Sequence, residues 1–240
     1  MRSTSLIVKK VLIAIQARNG STRLPGKWNI PINGATVLER VIGQAQSSAS
    51  FINNGKGDVE ASACLVVPVG DPIVKKFGHK ITIFQGSEFD VLSRYHDACE
   101  RMGCDYIVRI TADCPMLPAF VITKHILTAT KHGFDYVTNT REEIRTCPDG
   151  HDVEVISSRL MKWAHETATA DHDREHVTTI IKSRFPLWAR DANIISYTDD
   201  SHLKISIDTP EDLEFIKTYD ALISKKIDCA KQMSAGFFRI

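Results

Sequence analysis

The chain has almost no net charge: 30 Lys and Arg oppose 29 Asp and Glu over 240 residues, for +1. That balance argues against a protein that grips nucleic acid through bulk charge. No run of 18 apolar residues occurs, so no membrane span is expected. The apolar stretch at residues 6–15 is interrupted by Lys9 and Lys10, which makes it a poor signal-peptide core and a good first strand. Six cysteines (Cys64, Cys99, Cys104, Cys114, Cys147 and Cys229) contain no C-x-x-C pair. They read as reduced thiols of a cytoplasmic protein, neither a zinc site nor a disulfide frame. Internal repeats and long linkers are also missing.

Two phosphate-binding motifs are absent, and this narrows the chemistry. A Walker loop requires G-x-x-x-x-G-K-[ST]. Here Gly20 and Gly26 are six apart instead of five, and Trp28 follows Lys27 where Ser or Thr should hold magnesium. The dinucleotide fingerprint G-x-G-x-x-G does not occur either. An ordinary ATPase and a dehydrogenase are therefore disfavoured.

What is present is a globular composition, 43% hydrophobic and 25% charged. Apolar runs alternate with helical periodicity. Strands are expected at residues 11–16, 61–67, 81–84, 105–110 and 134–138, and helices at 36–47, 90–101 and 119–131. The polar, glycine-rich stretch 53–58 reads as a surface loop. This rhythm predicts an α/β fold with a mostly parallel sheet and helices on both faces. Beyond residue 140 the rhythm changes. A strand at 151–156, a helix at 157–170 capped by Ser157 or Ser158, and a helix at 173–183 are expected. A late strand at 203–207 then leads to Asp208 and a helix running to about 224, with Thr209 as N-cap and Pro210 in the first turn. The whole reads as one domain, residues 1–240, with residues 140–190 as an insertion that forms a lid or an oligomer contact.

The informative stretch is the loop behind the first strand, with Arg18, Arg23 and Lys27 set among Gly20 and Gly26. Glycines let backbone N–H groups approach phosphate oxygens, and the cations offset their charge. The plain alternative is a solvated basic turn. Asp113 and Asp208 each follow an expected strand, at the carboxyl edge where open parallel sheets bind ligands. Two carboxylates beside a triphosphate suit Mg2+, which takes hard oxygen ligands at about 2.1 Å and shares them with substrate phosphates. Either aspartate alone is equally a strand-end or cap residue. Arg109 interrupts an apolar strand and points either to solvent or into the site. Arg94, four after Asp90, fits a helix-surface ion pair as well as a base reader. Arg174 and His176 fit a solvated helix face as well as a substrate clamp.

The stretch IQARNGSTRLPGK resembles the signature loop of the cytidylyltransferases that make CMP-activated sugar acids, acylneuraminate and 3-deoxy-manno-octulosonate among them. The likeness is nearest to the branch of spore coat polysaccharide biosynthesis protein F. It runs over residues 10–220 and includes GSEFDVLSRYHDA, VRITADCPML, TNTREEIRTCPDGHDVEVIS, DREHVTTII and SIDTPEDLEFI in that order. The resemblance implies a Rossmann-like nucleotide-diphospho-sugar transferase fold. It implies that Gln16, Ala17, Arg18, Asn19, Gly20, Ser21, Arg23, Lys27 and Arg94 bind CTP, and that Asp113 and Asp208 hold magnesium. On the substrate side it implies Arg109, Asp152, Arg174 and His176. It further implies a homodimer. Two departures stand out. The sugar-acid synthetases carry Gln-Gly-Asp or a close variant where this chain has Ile110-Thr111-Ala112-Asp113, and residues 225–240 have no evident counterpart.

The expected reaction is in-line attack of an acidic sugar's hydroxyl on the α-phosphorus of CTP with loss of pyrophosphate. Lys27, Arg23, Asp113 and Asp208 form the catalytic set, and the product serves surface polysaccharide synthesis. One rival keeps the chemistry and takes a phosphate- or phosphonate-bearing acceptor. Another is a glycosyltransferase, which wants an Asp-x-Asp motif after a strand, whereas Asp171-His172-Asp173 lies between expected helices. A third is a non-catalytic nucleotide-binding subunit, against which Lys27, Asp113 and Asp208 together speak.

Overall fold

The computed structural model describes residues 8–55 and 57–237, with side chains described through residue 225. Residues 6 and 7 of the expected first strand, Lys56 of the expected loop and the Cys229 thiol lie outside the described portion. The other five cysteines are buried and free.

β1 (Lys9–Gln16) is an interior strand of the sheet. Val11, Ile13 and Ile15 enter one core while Leu12 and Ala14 enter the other. A strand covered on both faces needs apolar side chains at every position, which is why this run does not alternate. A hairpin follows, β2 (Pro31–Ile32) and β3 (Ala35–Thr36), turned by Asn33 and Gly34 at φ of 45° and 98°. Asn-Gly is the pair that tolerates two such residues in succession. α1 (Val37–Asn54) starts on a capping box: Thr36 Oγ1 accepts from the Glu39 amide at 3.3 Å, and Glu39 Oε2 accepts from the Thr36 amide at 3.0 Å.

The chain continues through β4 (Val59–Pro68), α2 (Ile73–Phe77), β5 (Thr82–Gly86), α3 (Val91–Met102), β6 (Tyr106–Thr111), α4 (Ala119–His132) and β7 (Tyr136–Thr138). Then come β8 (Glu154–Ser157), α5 (Ser158–Thr167), α6 (Asp171–His176), α7 (Thr179–Ser183), β9 (Asp191–Asn193) and α8 (Pro210–Phe237). The seven-stranded sheet has the order β5-β4-β1-β6-β8-β7-β9. All its pairs are parallel except those of β8, which runs antiparallel to both β6 and β7. One core packs α1, α2 and α4 on the sheet, and the other packs α3, α5 and α7. Because the chain leaves β1 toward β4 on one side and returns to β6 on the other, a crevice opens at the carboxyl ends of β1 and β6.

Several expectations are corrected. α1 runs on to Asn54 because Ala49 and Ile52 continue its buried stripe. Asn53 is therefore no loop residue; its side-chain amide pairs with both backbone groups of Ala61, imitating a strand edge. The helix expected at 173–183 is two helices, α6 and α7. They break at Val177, whose φ of 61° and ψ of −57° form a γ-turn, with the Thr178 amide donating to the His176 carbonyl. That strained conformation is offset by complete burial of the Val177 side chain in the second core. Residues 203–207 are not a ladder strand. They make a single bridge, Lys204 to Asp149, and their apolar residues Ile205 and Ile207 bury against Ile32 and the α8 residues Leu213 and Ile216. α8 does not stop near 224 but continues to Phe237, with no Pro or Gly between Glu211 and Ala235 to interrupt it. The stretch 140–190 supplies β8 to the middle of the sheet, so that part is woven into the core.

Candidate active site

The loop between β1 and Lys27 is shaped by side chains that do not face ligand. The Asn19 amide donates to Asp71 Oδ2 at 2.7 Å, and the Trp28 indole donates to Asn19 Oδ1 at 2.8 Å. Asp71 also accepts from the Ile73 amide at the start of α2, at 3.0 Å. Asn19 is thus the joint between the loop, the buried Trp28 and α2. Arg18 and Arg23 stay exposed, while Lys27 is drawn inward by a turn in which Gly26 has φ of 66°. These residues wall a cavity of about 230 Å³ together with Gln16, Ala17, Ser21, Thr111, Asp113 and Asp208. Gln16 Oε1 is buried there with no hydrogen-bond partner among the described residues.

Lys27 is the hub. Its ammonium donates to Asp113 Oδ2 at 2.9 Å, to Asp208 Oδ1 at 3.3 Å and to the Ile207 carbonyl at 2.8 Å. Arg23 reaches the same Asp208 oxygen at 3.2 Å. Burial pushes the Asp113 carboxyl up, but the Lys27 ammonium and a Thr111 hydrogen bond outweigh it and hold it below the usual carboxylate value. Asp113 follows β6 as expected, whereas Asp208 arrives on the irregular 203–208 segment. The Ile207 amide donates to the Asp113 carbonyl at 2.9 Å, which sets the two aspartates side by side. Asp212 in the first turn of α8 accepts from the Asp208 and Thr209 amides, both at 2.9 Å. Lys204 bridges Asp212 and Asp208 at 2.6 and 3.4 Å. Lys204, which the sequence did not single out, and Asp212, within the SIDTPEDLEFI stretch, thus fix Asp208.

The remaining candidates have other partners. Arg94 is not a surface residue: it is 2% exposed on α3, and Asp90 pairs instead with Arg174. Its guanidinium donates to the Val66 carbonyl at 3.3 Å and leaves Nε and one terminal nitrogen buried without partners among the described residues. Burial lowers its pKa, and Arg18 nearby adds to the effect. Arg109 points neither to solvent nor to the cavity. It donates to Glu154 at 2.7 Å, its cross-strand partner on β8. Glu154 also meets Lys182 at 3.0 Å, Thr178 and the Tyr136 hydroxyl. Burial raises its carboxyl, yet Arg109 and Lys182 bring it to about 2. Asp152 accepts from Arg145 at 2.5 Å, and burial nevertheless leaves its carboxyl raised. Arg174 joins α6 to α3 through Asp90 and Ser93, and His176 is exposed on α6; neither lines the cavity. Asp173 of the Asp-x-Asp stretch is taken by the Thr179 hydroxyl at 2.7 Å.

A second polar cavity, of about 400 Å³, is lined by Tyr136, Thr140, Arg141, Lys182 and their neighbours. It adjoins the Glu154 cluster: Thr138 on β7 and Arg109 on β6 both pair with Glu154 across β8. Gln16, Thr111, Arg109 and Glu154 share one face of the sheet by strand alternation. The two cavities therefore lie along one edge, with about 10 Å of strand spacing between β6 and β7. Arg141 lies within the TNTREEIRTCPDGHDVEVIS stretch, but nothing there singled it out, and Lys182 falls one position beyond DREHVTTII; the acid at 154, in an otherwise apolar run, was the legible signal.

A basic loop facing two carboxylates over a sheet crevice is a nucleotidyltransferase arrangement, and the comparison with known sequences decides which. The family profile described as cytidylyltransferase matches residues 12–236. The chain belongs to the cytidylyltransferase family. The match extends through 236, which corrects the expectation that the stretch from 225 lacks a family counterpart. The chain is 29% identical over 211 residues to the spore coat polysaccharide biosynthesis protein SpsF of Bacillus subtilis, covering 86% of this chain and 85% of that one. It is 25% identical to an 8-amino-3,8-dideoxy-manno-octulosonate cytidylyltransferase of Shewanella halifaxensis, covering 88% and 85% of the two chains. Among solved structures, a cytidylyltransferase from Leptospira borgpetersenii superposes with a TM-score of 0.74 at 28% identity, over 87% of this chain and 85% of that one. A CMP:2-keto-3-deoxy-manno-octonic acid synthetase complexed with CTP shares the fold, with a TM-score of 0.62 at 16% identity and coverage of 91% and 100%.

Proposed function

We propose that this family member transfers CMP from CTP to the hydroxyl of an acidic sugar, releasing pyrophosphate, in the cytoplasmic synthesis of a surface polysaccharide. The observation that carries this reading is the convergence of Asp113 and Asp208 on the Lys27 ammonium at the wall of an arginine-lined cavity. The curated relatives named for sugar-acid cytidylyl transfer and spore coat polysaccharide synthesis support the acceptor class.

The site fits a magnesium ion on its donor chemistry: two hard carboxylates already share one cation, Lys27, and need a triphosphate to complete a shell. No group of three or more His, Cys, Asp or Glu side chains forms a self-sufficient metal site among the described residues, which suits an ion shared with substrate. Bound on Asp113 and Asp208, the ion would supply charge neutralisation at the phosphates. Lys27, at the cavity wall beside both carboxylates, would be placed to meet the phosphates. Arg18 and Arg23 hold the β and γ groups, and Lys27 offsets the charge that grows on departing pyrophosphate. The unpaired Gln16 Oε1 suits a donor such as the cytosine amino group, and Arg94 lies beside it under the β4 end. Acceptor placement in the second cavity is supported by Lys182 and Arg141, which line it, pair there with Glu154 and Asp191, and would exchange those carboxylates for the acceptor's. The pair expected from sequence, Arg109 and Arg174, holds Glu154 and Asp90 and lines neither cavity.

The active unit is a homodimer through the β9 edge. β9 pairs on one side only, and Leu187, Trp188, Ile195 and Tyr197 around it are exposed. The deciding experiment is pyrophosphate release with magnesium, each of four nucleoside triphosphates, and a panel of acidic sugars and phosphorylated small molecules. Release with CTP and one acidic sugar supports the reading. Release only with a phosphorylated acceptor keeps the nucleotidyl transfer and removes the sugar acid. CTP binding with no release against any acceptor removes the catalytic reading.

A further inference from the structure

A second concave surface lies on the outer side of the α1–α4 layer. Two adjoining grooves, of about 750 and 470 Å³, share Phe51, Leu127 and Lys131. Phe51 and Phe120 are 68% and 71% exposed, and Leu127 is 42% exposed. The pattern of α4 explains this: Ile122, Ile126 and Ala129 bury toward the sheet, while Phe120 and Leu127, seven apart, share an outward stripe. The outward stripe of α4 is thus separate from the stripe that packs on the sheet. Lys9, Lys124, Lys131 and His132 also line the grooves, against a single carboxylate, Asp58. A local basic rim in a chain of net charge +1 is a placed feature, not a bulk excess. None of these side chains lines the nucleotide cavity.

We propose that this groove docks an acidic amphipathic helix of a partner protein, its apolar residues seated against Phe51, Phe120 and Leu127 and its carboxylates along Lys124 and Lys131. A concave floor walled by two helices suits a helix read through i, i+3/i+4 and i+7 anchors. A second copy of this chain fits poorly, because a two-fold contact here sets Lys124 and Lys131 against the same lysines of the partner. A bilayer meets the ridges and leaves the concave floor uncovered.

The test uses the full chain and a fluorescein-labelled synthetic helix of about five turns, with Leu at core positions and Glu flanking them. A second peptide carries Lys in place of Glu. Anisotropy titration should give at least about tenfold tighter binding of the Glu peptide, weakening as salt rises. Phe120→Asp and the double variant Lys124→Glu/Lys131→Glu should each weaken it by about tenfold or more while both retain wild-type pyrophosphate release, which shows that they fold. Equal affinity for the two peptides, or none for either, overturns the proposal. Wild-type binding to phosphatidylglycerol vesicles that Phe120→Asp abolishes assigns the face to a membrane and also overturns it. Dissociation of a dimer by Phe120→Asp in sedimentation velocity assigns it to a second copy, with the same consequence.

Discussion

At the scale of single residues, Lys27 concentrates the chemistry. Among the described residues it is the one side chain that touches both Asp113 and Asp208, and it is only 16% exposed, so its charge acts in a partly desolvated setting. Lys27→Ala should remove about 2–4 kcal/mol of transition-state stabilisation, or about 30- to 1,000-fold in kcat/KM for CTP. Near-normal turnover in steady-state pyrophosphate assays would remove the role assigned to it. Much at this scale was legible: Arg18, Ser21, Arg23, Lys27, Asp113 and Asp208 all wall one cavity. Arg109 was not legible, since an arginine in an apolar strand announces a need for a partner without naming it. Glu154 answers that need from a strand 45 positions away in the chain.

Elements bring these residues together, and two junctions are exposed to test. Arg109 on β6 and Glu154 on β8 form a buried pair across an antiparallel ladder. Glu154→Gln leaves Arg109 buried without its counter-charge and should destabilise the fold by about 3–5 kcal/mol in denaturant titrations near neutral pH. The folded pKa of Glu154, about 2, lies below the ordinary 4.5, so its contribution is complete above pH 4.5 and fades as pH falls toward 2. The stability gap between wild type and variant should shrink over that acid range; a constant gap would contradict the pairing. The second junction is Gly150, at φ of 111°, where an added Cβ would lie 2.7 Å from Ile205 C and Ser206 N. These backbones pair through Asp149, whose amide donates to Leu203 and whose carbonyl accepts from Ile205. Gly150→Ala should push the 203–208 segment away and displace Asp208. The expected loss is about tenfold or more in turnover with a modest fall in melting temperature. Full activity would mean that Asp208 does not depend on this contact.

At the scale of the molecule, exposed apolar side chains gather at the β9 edge and in the α1–α4 groove, among other places. If the edge is the dimer seam, Tyr197→Asp with Leu187→Asp should shift the sedimentation coefficient from dimer to monomer at micromolar protein. Phe120→Asp on the groove should leave it unchanged. An unchanged coefficient in the edge variant would move the homodimer elsewhere. Among the described residues no helix is long and apolar enough to cross a membrane, in keeping with the absence of a long apolar run.

The parallel sheet, its helices and the basic loop could be read from the chain because each rests on local physics: apolar runs, 3.6-residue periodicity, caps and the clustering of cations between glycines. The antiparallel insertion of β8 could not, because strand direction depends on which edge is vacant when the strand arrives. Residues 203–207 had a strand's alternation and became a tether, since Ile205 and Ile207 found their burial against the hairpin and α8 and not in a ladder. The sequence by itself determined the family and pointed to most of the residues that wall the loop cavity. Only the tertiary structure decided which cations remain available to a substrate, because a charge is spent or kept according to the partner that folding sets beside it.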